Sequence, residues 1–113
     1  RGAGVMWELS FLPEAREDLR ALDGSQRIRV VKAIAKVQSN PLPSSEGGYG
    51  KPLGNKRLSQ LSGLMKVKLK SDGIRIVYKL ERIEHAMRIV VIGVRSDDAV
   101  YREAQKRRES HGL

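Results

Sequence analysis

Five basic side chains flank a predicted tight turn, three at every second position before it and two that lie four positions apart after it. Asp72-Gly73 is a strong signal for a two-residue hairpin turn, because a type I′ turn needs positive φ at both central positions. Side chains alternate between the two faces of a strand, so residues that differ by two share a face. We therefore expect one side of this hairpin to carry five cations: Lys66, Lys68, Lys70, Arg75 and Lys79.

A row of aligned cations does not help a hairpin to fold. The predicted strands cover 64–70 and 74–80, and the turn makes Lys70 the partner of Arg75. Like charges opposed across strands are unfavourable by up to about 1 kcal/mol, and a sequence selected only for folding mixes signs there. We expect no acidic residue on this side of the hairpin. The pattern favours a phosphate-binding surface over a merely solvated face.

The whole chain has the same charge bias. Its 113 residues include 22 Lys and Arg against 13 Asp and Glu, which gives a net charge of +9 and a pI near 10.3. Such an excess predicts a polyanionic partner, most often nucleic acid. The sequence has no cysteine, no apolar stretch near the ~20 residues that span a bilayer, and no secretory signal. We therefore expect a cytoplasmic protein without disulfides or membrane contact.

The usual catalytic residues of nucleases are poorly placed. The two histidines, His85 and His111, fall in a predicted turn and in the C-terminal tail. No His, Asp or Glu cluster has metal-ligand spacing, and no glycine-rich loop is followed by a phosphate-binding lysine and a helix. We expect neither a metal nor a cofactor.

RNA can still be cleaved by basic side chains, because its own 2′-hydroxyl can attack the neighbouring phosphorus. The protein must then hold that hydroxyl in line, stabilise the added negative charge and move two protons. Arginine can bond two phosphate oxygens at once. A lysine crowded by other cations has a lowered pKa, which suits proton transfer, and a tyrosine can stack on a base.

The N-terminal half is predicted to hold one strand and two helices. Apolar residues that alternate with polar ones predict a strand over 6–11. Pro13 then opens a helix, where its missing N–H has no cost. Ser25 is the predicted N-cap of a longer helix that ends near Gln38. Two helices joined by a tight turn can cover one face of a sheet.

The C-terminal half completes the sheet. Residues 39–63 are rich in Pro and Gly and form a long connection, with at most a short edge strand near 58–61. Residues 87–94 are almost continuously apolar and β-branched, which predicts a central strand. Ser96 is the predicted N-cap of a final helix that runs to about Arg108 and is followed by a frayed tail.

These elements predict one small domain. Residues 1–5 are interpreted as an expression scar, which leaves a single domain over 6–113. The predicted order is β-α-α-β-β-β-α. It corresponds to an α+β fold in which an antiparallel sheet of about four strands carries an N-terminal helical hairpin on one face, followed by a C-terminal helix.

Two segments of the chain resemble one known family. The hairpin of the RelE toxins is similar to GLMKVKL at 63–69 followed by SDGIRIVY at 71–78. The last strand of that family and the start of its C-terminal helix resemble VIGVR at 91–95 and Val100-Tyr101. The similarity covers residues 6 to about 108, including the order of the elements.

The resemblance implies an enzyme that uses cations. RelE-like proteins are toxins of type II toxin–antitoxin pairs that cleave mRNA at the ribosomal A site, with a basic cluster in place of the usual acid–base pair. Carried over by position, that cluster is Lys66, Lys68, Arg75, Arg95 and Tyr101.

The resemblance also suggests a role for each member. The two lysines would activate the 2′-hydroxyl and manage charge, and Arg75 would stabilise the transition state. Arg95 would contact the phosphate or serve the leaving oxygen, and Tyr101 would stack on or orient the nucleotide. Lys70 and Lys79 would add RNA-binding charge. Which group is the general base and which the acid stays open.

The implied partners are mRNA, the ribosome and a cognate antitoxin. An acidic, partly disordered antitoxin that folds on binding would mask the cations. Two features depart from the family pattern. Met65 stands where the family often has an aromatic residue, and the loop at 46–50 is long for the family.

Two other functions compete with this prediction. The ParE branch of the same fold inhibits DNA gyrase by binding and generally lacks the full Lys-Lys-Arg-Arg-Tyr set. A passive RNA-binding module, or a degenerate toxin that keeps only antitoxin binding, would retain the charge without the cleavage.

Overall fold

A five-stranded sheet forms the frame of the computed structural model, which describes residues 7–53, 63–94 and 96–113. The strands within these ranges are β1 (Glu8–Phe11), β2 (Lys51–Pro52), β3 (Leu64–Leu69), β4 (Ile74–Glu81) and β5 (Ala86–Gly93). Their spatial order is β1-β5-β4-β3-β2. The strand predicted to be central, β5, lies between β1 and β4. With its helices, the chain has the predicted α+β class.

The sheet is mixed, which corrects the prediction of about four antiparallel strands. β1 pairs with β5 in parallel, whereas the other neighbouring pairs are antiparallel. Alternating apolar residues indicate a strand but not the direction of its neighbour. β2 has only two residues and is too short to give a period-two signal. The strand predicted near 58–61 and the segment 1–5 lie outside the described residues.

The first two helices form the predicted helical hairpin, α1 (Pro13–Ala21) and α2 (Gly24–Gln38). The N-cap of α2 is Asp23 and not Ser25. The Asp23 carboxylate accepts the Gln26 backbone N–H at 2.8 Å, and the Gln26 side chain accepts the Asp23 N–H at 3.4 Å. This reciprocal pair satisfies two backbone donors, which a cap at Ser25 would leave unpaired, and the helix starts earlier as a result.

The connection after α2 is folded where the structure describes it. A 3₁₀ turn covers Ser44–Glu46, and Pro43 forms a parallel bridge with Gly50. The Tyr78 hydroxyl donates to the Pro41 carbonyl at 2.7 Å and so ties the loop to β4. Residues 40–53 therefore have a defined conformation held by hydrogen bonds, although their Pro and Gly content predicts only an irregular connection.

Different helices cover the two faces of the sheet. Val67 and Leu69 of β3, which alternate with the lysines, line a cavity with Val37 of α2. The opposite face receives the third helix, α3 (Asp97–His111). A Cβ at Gly93 of β5 would lie only 2.9 Å from Cγ2 of Val100 in this helix. Glycine there allows α3 to lie directly against the sheet.

α3 begins as predicted and ends later. Ser96 caps it by accepting the Ala99 N–H at 3.3 Å. The helix continues past Arg108 to His111, whose Nε2 lies 2.9 Å from a Glu14 carboxylate oxygen of α1. The predicted frayed tail is thus mostly the last helical turn, because this contact holds it. None of the described helices has the length and apolar character needed to cross a bilayer.

The β3–β4 turn is longer than predicted, which shifts the register. Residues 70–73 form the turn, so Lys68 and not Lys70 lies opposite Arg75. The partner of each β3 residue moves by two positions along β4. Since two is an even number, every side chain of the hairpin keeps its predicted face.

The longer turn has a cause in the side chain of Asp72. Gly73 has a positive φ of 66°, but Asp72 does not, so the type I′ turn is not formed. The Asp72 carboxylate instead accepts two hydrogen bonds from Arg29 of α2, at 2.7 and 2.6 Å. Arg29 holds the pKa of this carboxyl below its usual range, chiefly through the side-chain hydrogen bonds. The turn is therefore anchored to the helical hairpin.

Candidate nucleic-acid interface

Three predicted cations meet on the face of the sheet that α3 covers. Lys68 lies directly opposite Arg75 across the β3–β4 pair, and Lys66 lies two residues away on the same face of β3. Opposed Cβ atoms in a hairpin are about 5 Å apart. The charged groups of these three side chains therefore lie close together on one face of the sheet. Lys66, Lys68 and Arg75 are called the cation cluster below.

Asp97, the first residue of α3, brings a carboxylate to the cation cluster. Its Oδ1 accepts a hydrogen bond from Arg75 Nε, and its Oδ2 lies 3.6 Å from Lys68 Nζ. The hydrogen bond from Arg75, together with the charges of Arg75, Lys68 and Lys66, holds the pKa of Asp97 below its usual range. The carboxylate is therefore ionised at neutral pH, and the helix N-terminus favours that charge as well.

The prediction that no acidic residue shares this side of the hairpin is wrong. Asp97 reaches it from another element, and Glu81 at the end of β4 pairs with Lys79 at 3.5 Å. Alternation within one hairpin cannot reveal Asp97, which belongs to a distant helix, and Glu81 was missed because β4 extends one residue beyond the predicted strand. Asp97 does not neutralise the three cations that surround it. Among the residues that the structure describes, the cluster keeps a surplus of positive charge.

Tyr101 of α3 lies beside the cluster. Its ring centroid is 5.7 Å from Lys66 Nζ, within the range of a cation–π contact. The residue is only 7% exposed, and its buried hydroxyl has no hydrogen-bond partner in the described part of the chain. The ring packs between α3 and the sheet. Stacking on a base, the role suggested by the family resemblance, would require the ring to become exposed.

Two further predicted site residues, Lys70 and Lys79, are described by the structure and do not belong to the cation cluster. Lys79 is four residues from Arg75 along β4, about 13 Å at the usual rise of a strand, next to Glu81. Lys70 belongs to the turn and lines an open groove together with Lys66 and Lys68. Arg95 lies outside the described residues.

The cation cluster has the donors needed to hold a phosphate group. Arg75 also donates from Nη1 to the Gly73 carbonyl at 2.9 Å, which orients its guanidinium before any ligand arrives. Donors fixed in advance need no reorganisation when negative charge develops on a reacting phosphate. Within the described ranges, no group of three His, Cys, Asp or Glu side chains is placed to hold a metal ion.

Asp97 is the residue at this surface that the sequence analysis missed. An aspartate in the first turn of a helix is already explained by the helix dipole, so its type gives no reason to look further. Its position in the chain is the feature that could have indicated its closeness to Arg75. α3 begins shortly after β5 ends, and the last residue of β5, Gly93, is the cross-strand partner of Arg75.

Comparison with protein-family models and with curated protein sequences gives no match. Solved structures do match. The isolated E. coli RelE toxin aligns with 89% of this chain and 97% of its own, at 26% identity and a TM-score of 0.65. A mutant of E. coli RelE in the free state aligns with 90% of this chain and 97% of its own, at 25% identity and a TM-score of 0.71.

A structure of the intact E. coli RelBE toxin–antitoxin complex matches as well. It aligns with 80% of this chain and 98% of its own, at 22% identity and a TM-score of 0.61. The alignments therefore span most of this chain and nearly the whole of each matched toxin chain. The chain has the RelE-like toxin fold.

Proposed function

We propose that this chain is the toxin of a type II toxin–antitoxin pair and acts as a metal-independent endoribonuclease. It cleaves mRNA on the ribosome, at the A site, and thereby stops translation. The observation that carries the proposal is the surplus charge of the cation cluster, which faces a single described carboxylate on a RelE-like fold. Folding alone gives no reason to collect these charges.

The chemistry is an internal transfer of the phosphoryl group. The 2′-oxygen of one ribose forms a bond to the adjacent phosphorus, and the bond from phosphorus to the 5′-oxygen of the next nucleotide breaks. One proton leaves the 2′-hydroxyl and one is delivered to the 5′-oxygen. The products are a 2′,3′-cyclic phosphate and a free 5′-hydroxyl, and no metal or water is needed for this step.

The residues divide the work by position. Arg75 stabilises the charge that develops on the phosphate oxygens, because its guanidinium is held in place by the turn. Lys66 and Lys68 serve the 2′-hydroxyl and share that charge. Tyr101 keeps Lys66 over the site through its ring. Arg95 follows β5 in the chain, and we propose that it contacts the phosphate or the leaving oxygen.

The proposed partner is an acidic antitoxin. The similar E. coli RelE toxin has a crystal structure in the intact complex with its antitoxin, and a RelE mutant has a structure with an antitoxin peptide. This chain carries a net charge of +9, which a partner rich in Asp and Glu would offset. A protein that acts on ribosomes would act in the cytoplasm, and we propose that location for this chain.

The test is to map the ends of cleaved message in a translation system supplied with purified protein. Wild type should give cuts within the codon at the A site, with 2′,3′-cyclic or 3′-phosphate ends. Arg75→Ala should abolish most of them. Arg20→Ala is the matched control, because this arginine of α1 is exposed and pairs only locally with Glu17 in the described structure. Products with 3′-hydroxyl ends would contradict attack by the 2′-hydroxyl.

The same proteins decide between this function and its rivals. Loss of DNA supercoiling by gyrase, with message left intact, would assign the chain to the ParE type. RNA binding that is saturable but never followed by cleavage would leave a passive binding module. Growth arrest that persists in Arg75→Ala would mean that catalysis at the cation cluster is the wrong explanation.

A further inference from the structure

A second basic feature lies along the outer edge of β3. A groove of about 290 Å³ is lined by Tyr49, Lys51, Lys66, Val67, Lys68 and Lys70. It shares Lys66 and Lys68 with the cation cluster and continues from it toward the sheet edge. Its volume is near the lower end of small-molecule sites, about 300 Å³. This space suits one nucleotide and not a duplex.

In the described part of the chain, β2 covers only part of the β3 edge. Its two residues pair with Met65 and Lys66 only, and no described strand lies beside the rest of β3. Lys51 is directly opposite Lys66, which repeats across this pair the like-charge arrangement seen in the hairpin. Opposed lysines are unfavourable for sheet formation. The described residues that line the groove include four lysines and no carboxylate.

Tyr49 supplies an aromatic surface to the groove. The residue is 49% exposed, and Lys36 Nζ of α2 lies 5.2 Å from its ring centroid. An exposed aromatic ring beside cations is the arrangement by which proteins bind single-stranded nucleic acid: a base stacks on the ring and the cations follow the backbone. Paired bases are not free to stack in this way.

The loop that presents Tyr49 is held firmly. The Tyr49 backbone N–H donates to the Asn40 carbonyl at 3.0 Å, and the Gly50 N–H donates to the Leu42 carbonyl at 3.0 Å. A Cβ at Gly50 would lie 2.3 Å from the Tyr78 hydroxyl, so only glycine allows this close approach. The ring is therefore positioned before a ligand binds, which limits the entropy lost on binding.

We propose that this groove binds the single-stranded nucleotide next to the scissile phosphate. Its base stacks on Tyr49, and Lys51 and Lys70 hold the flanking phosphate. The inference rests on the proposed function only for the statement that the strand is the RNA substrate. In this proposal, Lys70 binds RNA as part of the groove, and Tyr49 and Lys51 become additional substrate-binding residues.

The experiment measures binding of a fluorescent eight-nucleotide RNA built from 2′-O-methyl nucleotides, which cannot be cleaved through the 2′-oxygen. Tyr49→Ala should weaken binding about tenfold or more, the usual effect of losing one stacked base, and Tyr49→Trp should restore it. Lys51→Ala should weaken binding several-fold and reduce the slope of log affinity against log salt by about 0.7. Lys106→Ala, an exposed lysine of α3, should change binding by less than twofold.

Three results would overturn the inference. They are unchanged binding in Tyr49→Ala, failure of Tyr49→Trp to restore binding while both variants keep the wild-type melting temperature, and equal weakening for a duplex of the same sequence. Cleavage on ribosomes separates this idea from the proposed function. Unaltered cleavage by Tyr49→Ala would contradict the role of the groove and leave the proposed nuclease activity in place. RNA binding that depends on Tyr49, in a wild-type protein that never cleaves RNA, would support the groove and contradict the nuclease activity.

Discussion

The two ends of α3 differ in the number of carboxylates that surround an arginine side chain. Near the C-terminal end, Arg107 is almost buried and donates to Glu103 at 2.8 Å and to Asp18 of α1 at 2.7 Å. It also donates to the Val90 carbonyl at 3.0 Å, and Asp18 in turn accepts the Ile92 N–H at 3.0 Å. Two carboxylates and a carbonyl thus satisfy one guanidinium.

At the N-terminal end of α3, the cations outnumber the carboxylates. Asp97 faces Arg75, Lys68 and Lys66, and its side chain is 42% exposed. The carboxylate orients Arg75 but leaves the group with net positive charge.

This difference separates structure from function. A balanced, nearly buried cluster such as that of Arg107 stabilises the packing of α1, α3 and β5. The cation cluster is partly exposed, and its described charges leave a positive surplus that favours an anion. Charge balance around each arginine, and not the number of arginines, is the observation that distinguishes the two. The following variants test it.

The largest effect is expected for Arg75→Ala in the cleavage assay. Loss of one preorganised donor to a developing charge lowers rates by about 100-fold or more. The free energy of unfolding should fall by less than about 1 kcal/mol, since Asp97 is well exposed. Single-turnover cleavage on ribosomes and urea denaturation measure the two quantities. A rate within threefold of wild type would show that Arg75 does not act on the phosphate.

Arg107→Ala should have the opposite profile. The change leaves Asp18 and the Val90 carbonyl without their charged donor, which should lower the free energy of unfolding by about 2–3 kcal/mol. RNA affinity of the folded protein should stay within twofold of wild type. Urea denaturation followed by circular dichroism gives the first value. A loss below about 0.5 kcal/mol would remove the contrast between the two ends of α3.

Asp97→Asn should tighten RNA binding about three- to tenfold at low salt, because it removes the negative charge that competes with phosphate. The pKa of Asp97 is lowered, so the carboxylate is charged throughout pH 5–9 and the gain should be constant over that range. Asp98→Asn makes the same charge change one residue along the helix and is the control. Equal gains in both variants would indicate a general charge effect.

Tyr101→Phe tests the smallest effect. The hydroxyl is buried without a described partner, so its removal should be neutral or should stabilise the fold by up to about 1 kcal/mol. The ring and its contact with Lys66 remain, and we expect cleavage to stay within a few-fold of wild type. A loss above tenfold at unchanged stability would instead assign the hydroxyl a direct role with the nucleotide.

Much of the frame follows from local patterns in the sequence. The period-two residues of β3 and β4, the apolar run of β5 and the cap at Ser96 indicate their elements directly. The shared face of Lys66, Lys68 and Arg75 could be predicted for the same reason. The prediction of a shared face is correct even though the turn was predicted wrongly, because the register moved by an even number of residues.

The remainder depends on contacts between distant parts of the chain. The parallel pairing of β1, the approach of Asp97 to Arg75, and the place of Tyr49 beside β3 each join residues far apart in sequence. No periodicity records such contacts. The turn at 70–73 belongs to the same class, because Arg29 of α2 takes the Asp72 side chain.

The proposed nuclease depends on one step, in which the cation cluster directs the 2′-oxygen of RNA at the adjacent phosphorus. Its most direct test is single-turnover cleavage of a ribosome-bound message with ribose or 2′-deoxyribose at the scissile nucleotide. If the 2′-oxygen is the nucleophile, wild type cleaves the ribose message rapidly and leaves the deoxyribose message intact. Equal cleavage of the two messages would contradict it.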